Sequence, residues 1–155
     1  MKSVLIAIRP QWVEKIASGE KTIEVRKTAP KEVPFKCYIY ETQGRTETPW
    51  IDEDGHFIYK GRGQVIGEFI CDRIEMVNAK CSDYGIDLFY HDCLTNGCLT
   101  EREIEKYFNV PEDRDLRAMK GNGYVWNISD LKIYDTPLTL DDFYLEKAPT
   151  SWRYV

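Results

Sequence analysis

Hydrophobic positions along the chain fall mostly into short runs, and most of these runs predict β-strands. Residues 3–8 (SVLIAI) form a continuous apolar run rich in β-branched side chains, which is typical of a buried strand. Residues 21–27 alternate instead, because Ile23 and Val25 face one way while Glu24 and Arg26 face the other. Three further strand-like runs lie at 35–42, 64–77 and 124–134.

Two segments have helical patterns. Residues 9–19 begin with a proline in the first turn and end at Gly19, a residue that commonly stops a helix. Residues 99–108 begin with Thr100 followed three positions later by Glu103, the arrangement of a capping box. Residues 78–98 show neither the helical spacing of apolar residues nor the alternation of a strand, and they are predicted to be irregular.

The pattern as a whole predicts a mainly β, α+β fold: one domain over 1–155, built as a closed or nearly closed β-barrel with two or three short helices. Residues 43–63 are polar and carry turn signals at Asp54-Gly55, so they are expected to leave the body as a loop or hairpin excursion. Gly67 inside the longest run suggests a bulge or a close backbone approach.

Composition places the chain among globular proteins. With 155 residues, 43% hydrophobic and 30% charged, it is long enough to bury one sizeable core. No apolar run is long enough to cross a bilayer, and the N-terminal run is too short for a signal peptide. A cytoplasmic protein without membrane attachment is therefore expected.

Charge is distributed unevenly. The net charge is −5, yet residues 1–31 hold seven Lys or Arg against three Glu. A protein with this net negative charge does not have a uniformly basic surface for nucleic acid, so binding to extended duplexes is not expected. A local cationic site remains, suited to a short single strand or a small anionic or polar ligand.

The five cysteines form an odd set in a chain expected to be intracellular, so a disulfide framework is not predicted. Cys81, His91, Cys93 and Cys98 could supply four zinc ligands, but their spacing matches no common zinc module. Buried free cysteines acting as small hydrophobes are the favoured interpretation, and neither a metal nor another cofactor is expected.

The segment Gly19-Glu-Lys21-Thr-Ile-Glu24-Val-Arg26 combines a helix stop with three charged residues at the start of a strand. Lys21 is either a solvated lysine or, in a cleft, a base, an activator of a nucleophile or a group that stabilises an oxyanion. Glu24 and Arg26 are either an intrastrand ion pair or a ligand-binding pair whose guanidinium meets a phosphate or a base edge.

This segment resembles the G-x-K-x-x-E-x-R signature of the ASCH domain family, relatives of the PUA-like β-barrels that are common in bacteria and their phages. The similarity extends to LIAIRPQWVEKIASGEK, VIGEF, CLTEREIEKYF, GYVWNISDLKIYDTPLTLDDF and PTSWRYV, and so to nearly the whole chain outside 43–63. The resemblance implies a PUA-like barrel with a cleft beside the signature.

The resemblance also implies a class of ligand. Members are described as RNA-binding or RNA-linked domains, some are amidohydrolases that deacylate N4-acylcytidines, and others cut RNA. The amidases use the signature lysine, here Lys21, with a threonine and a glutamate. Glu24 stands at the threonine position, and Asn96-Gly97-Cys98 occupies the region of the glutamate.

Further candidates follow from placement along the chain. Glu68 interrupts an apolar row, so it either lies at the rim or faces the cleft, where it would join Lys21 and Glu24 as a catalytic set. Trp12, Tyr40, Trp126 and Trp152 are the aromatics near the signature; core packing is favoured for Trp126 and base stacking for Trp152. The predicted ligand-binding residues are Arg9, Gly19, Lys21, Glu24, Arg26, Tyr40, Ser151 and Trp152.

Two functions are carried forward. The first is a binding module that recognises RNA or a modified nucleoside in the cleft beside the signature. The second is a hydrolase, either an amidohydrolase acting on N4-acylcytidine-type nucleosides or a ribonuclease, with Lys21 and a glutamate at its centre. The acidic balance of the chain favours a small pocket in both.

Overall fold

A five-stranded sheet forms the larger layer of the protein in the computed structural model, which describes residues 1–44, 50–51, 53, 55, 57–58 and 60–155. Its strand order is β10-β1-β3-β6-β9. The β1–β3 pair is parallel and the other neighbours are antiparallel. The strands are β1 (Lys2–Ile8), β3 (Phe35–Glu41), β6 (Gln64–Cys71), β9 (Ser129–Leu138) and β10 (Trp152–Tyr154).

A three-stranded antiparallel sheet forms the second layer, in the order β2-β8-β7. It consists of β2 (Ile23–Arg26), β7 (Ile74–Asn78) and β8 (Asn122–Asn127). The predicted runs 64–77 and 124–134 each divide between the two sheets, since β6 continues into β7 after two residues and β8 continues into β9 after one. Each of these two predicted runs thus crosses from one layer to the other.

The barrel is where the prediction needs correction. Hydrogen bonding in the described residues leaves the five-stranded and three-stranded sheets open rather than closed on one another, although the mixed strand-and-helix composition is as predicted. The register slips around Gly67 in both of its pairings, as expected for a bulge. A side chain there would place Cβ 2.5 Å from the Lys132 carbonyl oxygen, so only glycine allows this approach of the strands.

Three α-helices flank the sheets within the part of the chain that the structure describes: α1 (Pro10–Ala17), α2 (Asp83–Thr95) and α3 (Glu101–Tyr107). The capping box of α3 is confirmed, with both Thr100 and Glu103 side chains bonded to backbone N–H groups. The irregular prediction for 78–98 is wrong, because α2 occupies most of it. No helix among the described residues is long and apolar enough to span a membrane.

The core divides into clusters on either side of the smaller sheet. Ile23 and Val25 of β2 pack with α2, α3 and β8 in one cluster, as the alternation predicts. The opposite side of β2 carries Glu24 and Arg26, and Arg26 donates to the Ala7 carbonyl of the larger sheet. A second cluster, containing Trp126 and the inner side chains of β1, β3 and β6, packs between α1 and both sheets.

The predicted 43–63 excursion contains a short antiparallel pair, β4 (Trp50–Ile51) with β5 (Phe57–Ile58). Asp54 of the predicted turn, like 45–49, 52, 56 and 59, lies outside the described residues. Arg62 anchors the end of the excursion, since its backbone N–H donates to the buried Glu41 carboxylate at 2.7 Å.

Candidate functional site

A cavity of about 770 Å³ opens between the two sheets, bordered by α1 on one side and α3 on the other. The signature segment forms its inner wall. The lining comprises Ala7, Ile8, Arg9, Gln11, Trp12, Lys21, Glu24, Val25, Arg26, Lys27, Thr42, Leu99, Glu103, Lys106, Tyr107, Pro149 and Thr150.

The turn after α1 delivers Lys21 to this wall. Gly19 has a φ of +80°, a left-handed conformation that glycine adopts without strain, and it ends the helix. The Lys21 backbone N–H then donates to the Lys15 carbonyl at 2.9 Å. These contacts turn the chain back sharply, so that Lys21 points inward at the start of β2.

Lys21 is buried, with only 3% of its surface exposed. Its Nζ donates to the Gly97 carbonyl oxygen at 2.8 Å, in the loop between α2 and α3. The same Nζ lies 3.5 Å from Glu24 Oε2 and 5.5 Å from the centre of the Trp12 ring. The ammonium is therefore held by a carbonyl, a carboxylate and an aromatic face.

Glu24 lies between two cations. Its Oε1 is 2.9 Å from Arg26 Nε, and the side chains of Glu24 and Arg26 are only 8% and 12% exposed. Arg26 also reaches the larger sheet, donating to the Ala7 carbonyl at 2.9 Å and to Ser151 Oγ at 3.3 Å. The pair thus connects the two layers. Because both side chains are largely buried, the alternative of a solvated ion pair on the surface is excluded.

Two polar atoms of this cluster are buried without an aligned hydrogen bond. Glu24 Oε2 and Arg26 Nε are buried, and among the described residues neither has a hydrogen-bond partner. The close approach of Arg26 Nε to Oε1 is therefore an ion pair without hydrogen-bond alignment. A buried acceptor without an aligned donor is costly, and the Lys21 ammonium 3.5 Å from Oε2 compensates its charge.

The α3 wall contributes polar and aromatic groups at helical spacing. Glu103, Lys106 and Tyr107 lie on one face of this helix, three and four residues apart. Lys27 Nζ, at the end of β2, lies 4.9 Å from the centre of the Tyr107 ring. Burial raises the pKa of the Tyr107 hydroxyl, while the nearby Arg26 charge opposes the shift.

The cavity is cationic although the protein is acidic. Five Lys or Arg side chains line it against two glutamates, an excess of three positive charges in a chain of net charge −5. The cations are Arg9, Lys21, Arg26, Lys27 and Lys106. Such an excess concentrates anions at the opening.

The structure brings four predicted residues together in the lining: Arg9, Lys21, Glu24 and Arg26. Two others support the site without lining it: Gly19 forms the turn before Lys21, and Ser151 accepts a hydrogen bond from Arg26. Three predicted residues lie elsewhere, namely Tyr40, Glu68 and Trp152, and they are not part of the candidate site.

Glu68 is placed on the larger sheet, away from the cavity. Its carboxylate lies 3.2 Å from Lys36 Nζ and accepts a hydrogen bond from the Tyr134 hydroxyl. That hydrogen bond is the main reason that the pKa of Glu68 falls below its ordinary value. The proposed catalytic set of Lys21, Glu24 and Glu68 is therefore not assembled.

The two aromatics have structural contacts instead. Tyr40 is buried in a cluster with Leu5 and Val65. Trp152 packs edge-on against Trp126, with ring centres 5.7 Å apart, and donates from Nε1 to Thr28 Oγ1 at 3.0 Å. Trp126 is fully buried, as favoured from the sequence.

Trp12 and Tyr107 are the aromatic residues that line the cavity. Trp12 was recognisable from its place in α1, directly before the signature. Tyr107, Lys106 and Glu103 were missed, although the sequence contained their signal: three residues on one face of a helix whose start was identified. What was lacking was the tertiary position of α3.

The cysteines do not form a metal site in the part of the chain that the structure describes. No three His, Cys, Asp or Glu side chains lie close enough there to hold an ion. Cys93 is fully buried in the cluster beneath α2, whereas Cys81 and Cys98 are half-buried. Burial raises the pKa of the Cys93 thiol to about 12, so the thiol stays protonated.

Comparison with solved structures identifies the fold. The chain is similar to the crystal structure of ASCH from Zymomonas mobilis, with a TM-score of 0.66 and 19% identity over 99% of this chain and 87% of that one. A variant of that protein gives 0.67 and 17%, covering 100% and 91%. No protein-family model matches, and neither does any curated protein. The protein therefore has an ASCH-like fold, as the sequence resemblance implied.

Proposed function

We propose that the protein binds RNA or a modified nucleoside in the cavity beside Lys21, Glu24 and Arg26. The observation that carries this proposal is the cationic cavity itself, whose wall contains the Glu24 carboxylate between Lys21 and Arg26. A carboxylate in this wall is an acceptor for an exocyclic amine or ring N–H of a nucleobase. Trp12 and Tyr107 supply flat surfaces for the base.

The size and charge of the site support a small ligand. A cavity of about 770 Å³ lies within the usual range for small-molecule sites, and it accommodates one or two nucleotides rather than a duplex. RNA recognition commonly uses unstacked bases that enter such pockets. A single-stranded end or an isolated nucleoside fits these requirements.

The test is a binding panel of short single-stranded RNAs, the four nucleosides and N4-acetylcytidine, measured by calorimetry. Lys21→Met keeps the bulk of the side chain but removes the charge beside Glu24, and it is expected to weaken binding by at least about tenfold. Lys120→Met, at an exposed lysine outside the cavity, is the matched control and should bind as wild type.

Amide shifts in an NMR titration of the wild type provide a second measurement that does not depend on the variant's folding. The largest shifts are expected at Lys21, Arg26 and Tyr107. Absence of binding to every member of the panel, or shifts confined to residues away from the cavity, would contradict the proposal.

A hydrolase is the second candidate, favoured by the 3.5 Å separation of Lys21 Nζ and Glu24 Oε2 in the cavity wall. In this reaction Glu24 takes a proton from a water molecule that attacks the acyl carbon, while Lys21 stabilises the oxyanion. The C–N bond then breaks, and the amine leaves with the proton from Glu24. Release of acetate from N4-acetylcytidine, or shortening of the RNAs, that disappears in Glu24→Gln would identify it.

A further inference from the structure

The cations of the cavity form two groups with different surroundings. Lys21 and Arg26 are buried and paired with Glu24. Arg9, Lys27 and Lys106 are exposed, and none of them has a carboxylate partner among the described residues. We refer to these three as the rim cations. Their charge is available to a ligand, whereas Lys21 and Arg26 share the Glu24 carboxylate, which compensates one of their two charges.

Both acidic side chains of the lining are already engaged. Glu24 lies between Lys21 and Arg26, and Glu103 accepts from the Thr100 backbone N–H at 2.9 Å as part of the capping box. Neither carboxylate forms an ion pair with a rim cation among the described residues. The inner end of the cavity thus contains a carboxylate, and the rim carries exposed positive charge.

Two of the rim cations share the cavity with an aromatic ring. Lys27 Nζ is 4.9 Å from the centre of the Tyr107 ring, and Lys106 lines the same cavity. An aromatic ring in a cavity that also presents ammonium groups matches a nucleotide, in which a flat base and an anionic phosphate are joined through a sugar. A neutral nucleoside would leave the rim cations without a counterpart.

We propose that the ligand is a phosphorylated nucleotide, or a terminal nucleotide of RNA bearing a phosphate, with its base at Glu24 and its phosphate at the rim cations. This inference rests on the proposed function and adds the phosphate to it. It makes phosphate the group that separates good ligands from poor ones.

Calorimetric titration with cytidine, 5′-cytidine monophosphate, 3′-cytidine monophosphate and inorganic phosphate tests the inference. At least one monophosphate is expected to bind about tenfold or more tightly than cytidine, and inorganic phosphate should compete weakly. Raising NaCl from about 50 mM to about 500 mM should reduce this advantage, because exposed charges are screened.

The variant for this test is Arg9→Gln/Lys27→Gln/Lys106→Gln, which removes the rim charges together. The matched control is Arg114→Gln/Lys80→Gln/Lys120→Gln, which removes one arginine and two lysines from exposed positions outside the cavity. Both have the same net charge. The ratio of nucleoside to nucleotide dissociation constants should approach one in the rim variant and stay at the wild-type value in the control.

The possible outcomes separate the two proposals. Equal affinity of wild type for cytidine and both monophosphates overturns the phosphate inference but leaves nucleoside binding standing. The phosphate inference is also overturned if the ratio of nucleoside to nucleotide dissociation constants falls equally in both triple variants. The effect would then come from the overall charge of the protein. Absence of binding to any nucleoside, nucleotide or RNA refutes the proposed function itself.

Discussion

At the scale of single residues, Glu24 is the group on which the cluster depends. It is the carboxylate that compensates both Lys21 and Arg26, and all three side chains are largely buried. Removing one member of a buried ion cluster leaves uncompensated charge, which is commonly more costly than losing the attraction itself.

We therefore expect Glu24→Gln to lower the free energy of unfolding by about 3 kcal/mol, because two buried cations would lose their carboxylate. The measurement is urea denaturation followed by circular dichroism. Glu75→Gln is the control: Glu75 pairs with Arg73 at 3.2 Å, but both side chains are more than 60% exposed. This surface pair should be worth at most about 1 kcal/mol. Equal losses in the two variants would contradict a special role for Glu24.

Local sequence determined much of the signature but not all of it. The alternation of 21–27 places Glu24 and Arg26 on the side of β2 opposite Ile23 and Val25, and the structure confirms this. The partners of Lys21 could not be deduced, because the Gly97 carbonyl is 76 residues away in sequence. For the same reason Glu68 was a candidate for the cleft, whereas its contacts with Lys36 and Tyr134 lie on another part of the larger sheet.

At the scale of secondary-structure elements, α3 links helix stability to the site. The helix has only seven residues, so a large share of its local stability depends on its N-terminal cap. Its cavity-facing residues include Lys106 and Tyr107, so fraying of the helix would displace both.

We expect Thr100→Ala to lower the free energy of unfolding by about 1 kcal/mol through loss of the N-cap. It should also weaken nucleotide binding several-fold, since Lys106 and Tyr107 would be less well ordered. Thr95→Ala is the control, because the Thr95 hydroxyl bonds to the His91 carbonyl at an exposed position near the end of α2. Calorimetric titration with cytidine monophosphate and urea denaturation of both variants check the prediction. Unchanged affinity for cytidine monophosphate in Thr100→Ala would show that ligand binding does not depend on the order of α3.

Elements with a clear local signal were predicted, and one without it was not. The capping box identified α3, and the proline and Gly19 identified α1. Helix α2 was missed because Gly85, three aromatics and two β-branched residues give it weak helical propensity. Its buried residues Ile86, Phe89 and Cys93 pack against the smaller sheet, so tertiary contacts stabilise it. The division of 64–77 into β6 and β7 likewise depends on the second sheet.

At the scale of the whole molecule, positive charge is concentrated in the cavity. The net charge is −5 and the cavity lining carries +3, which leaves −8 for the remainder of the chain. A duplex presents phosphates over a long, convex surface, so most of its contacts would meet acidic regions. A flexible single strand can instead place one end in the cavity and keep the rest in solvent.

We therefore expect a single-stranded RNA of about eight nucleotides to bind at least about tenfold more tightly than an RNA duplex of about 20 base pairs, at about 0.15 M salt. In the cavity the cations outnumber the acidic side chains by three. The slope of log Kobs against log salt for the single strand should therefore be no steeper than about −2. Fluorescence polarisation with end-labelled RNAs over a salt series measures both quantities. Tight duplex binding with a slope near −5 or steeper would instead indicate an extended phosphate-binding surface, which is incompatible with recognition confined to the cavity.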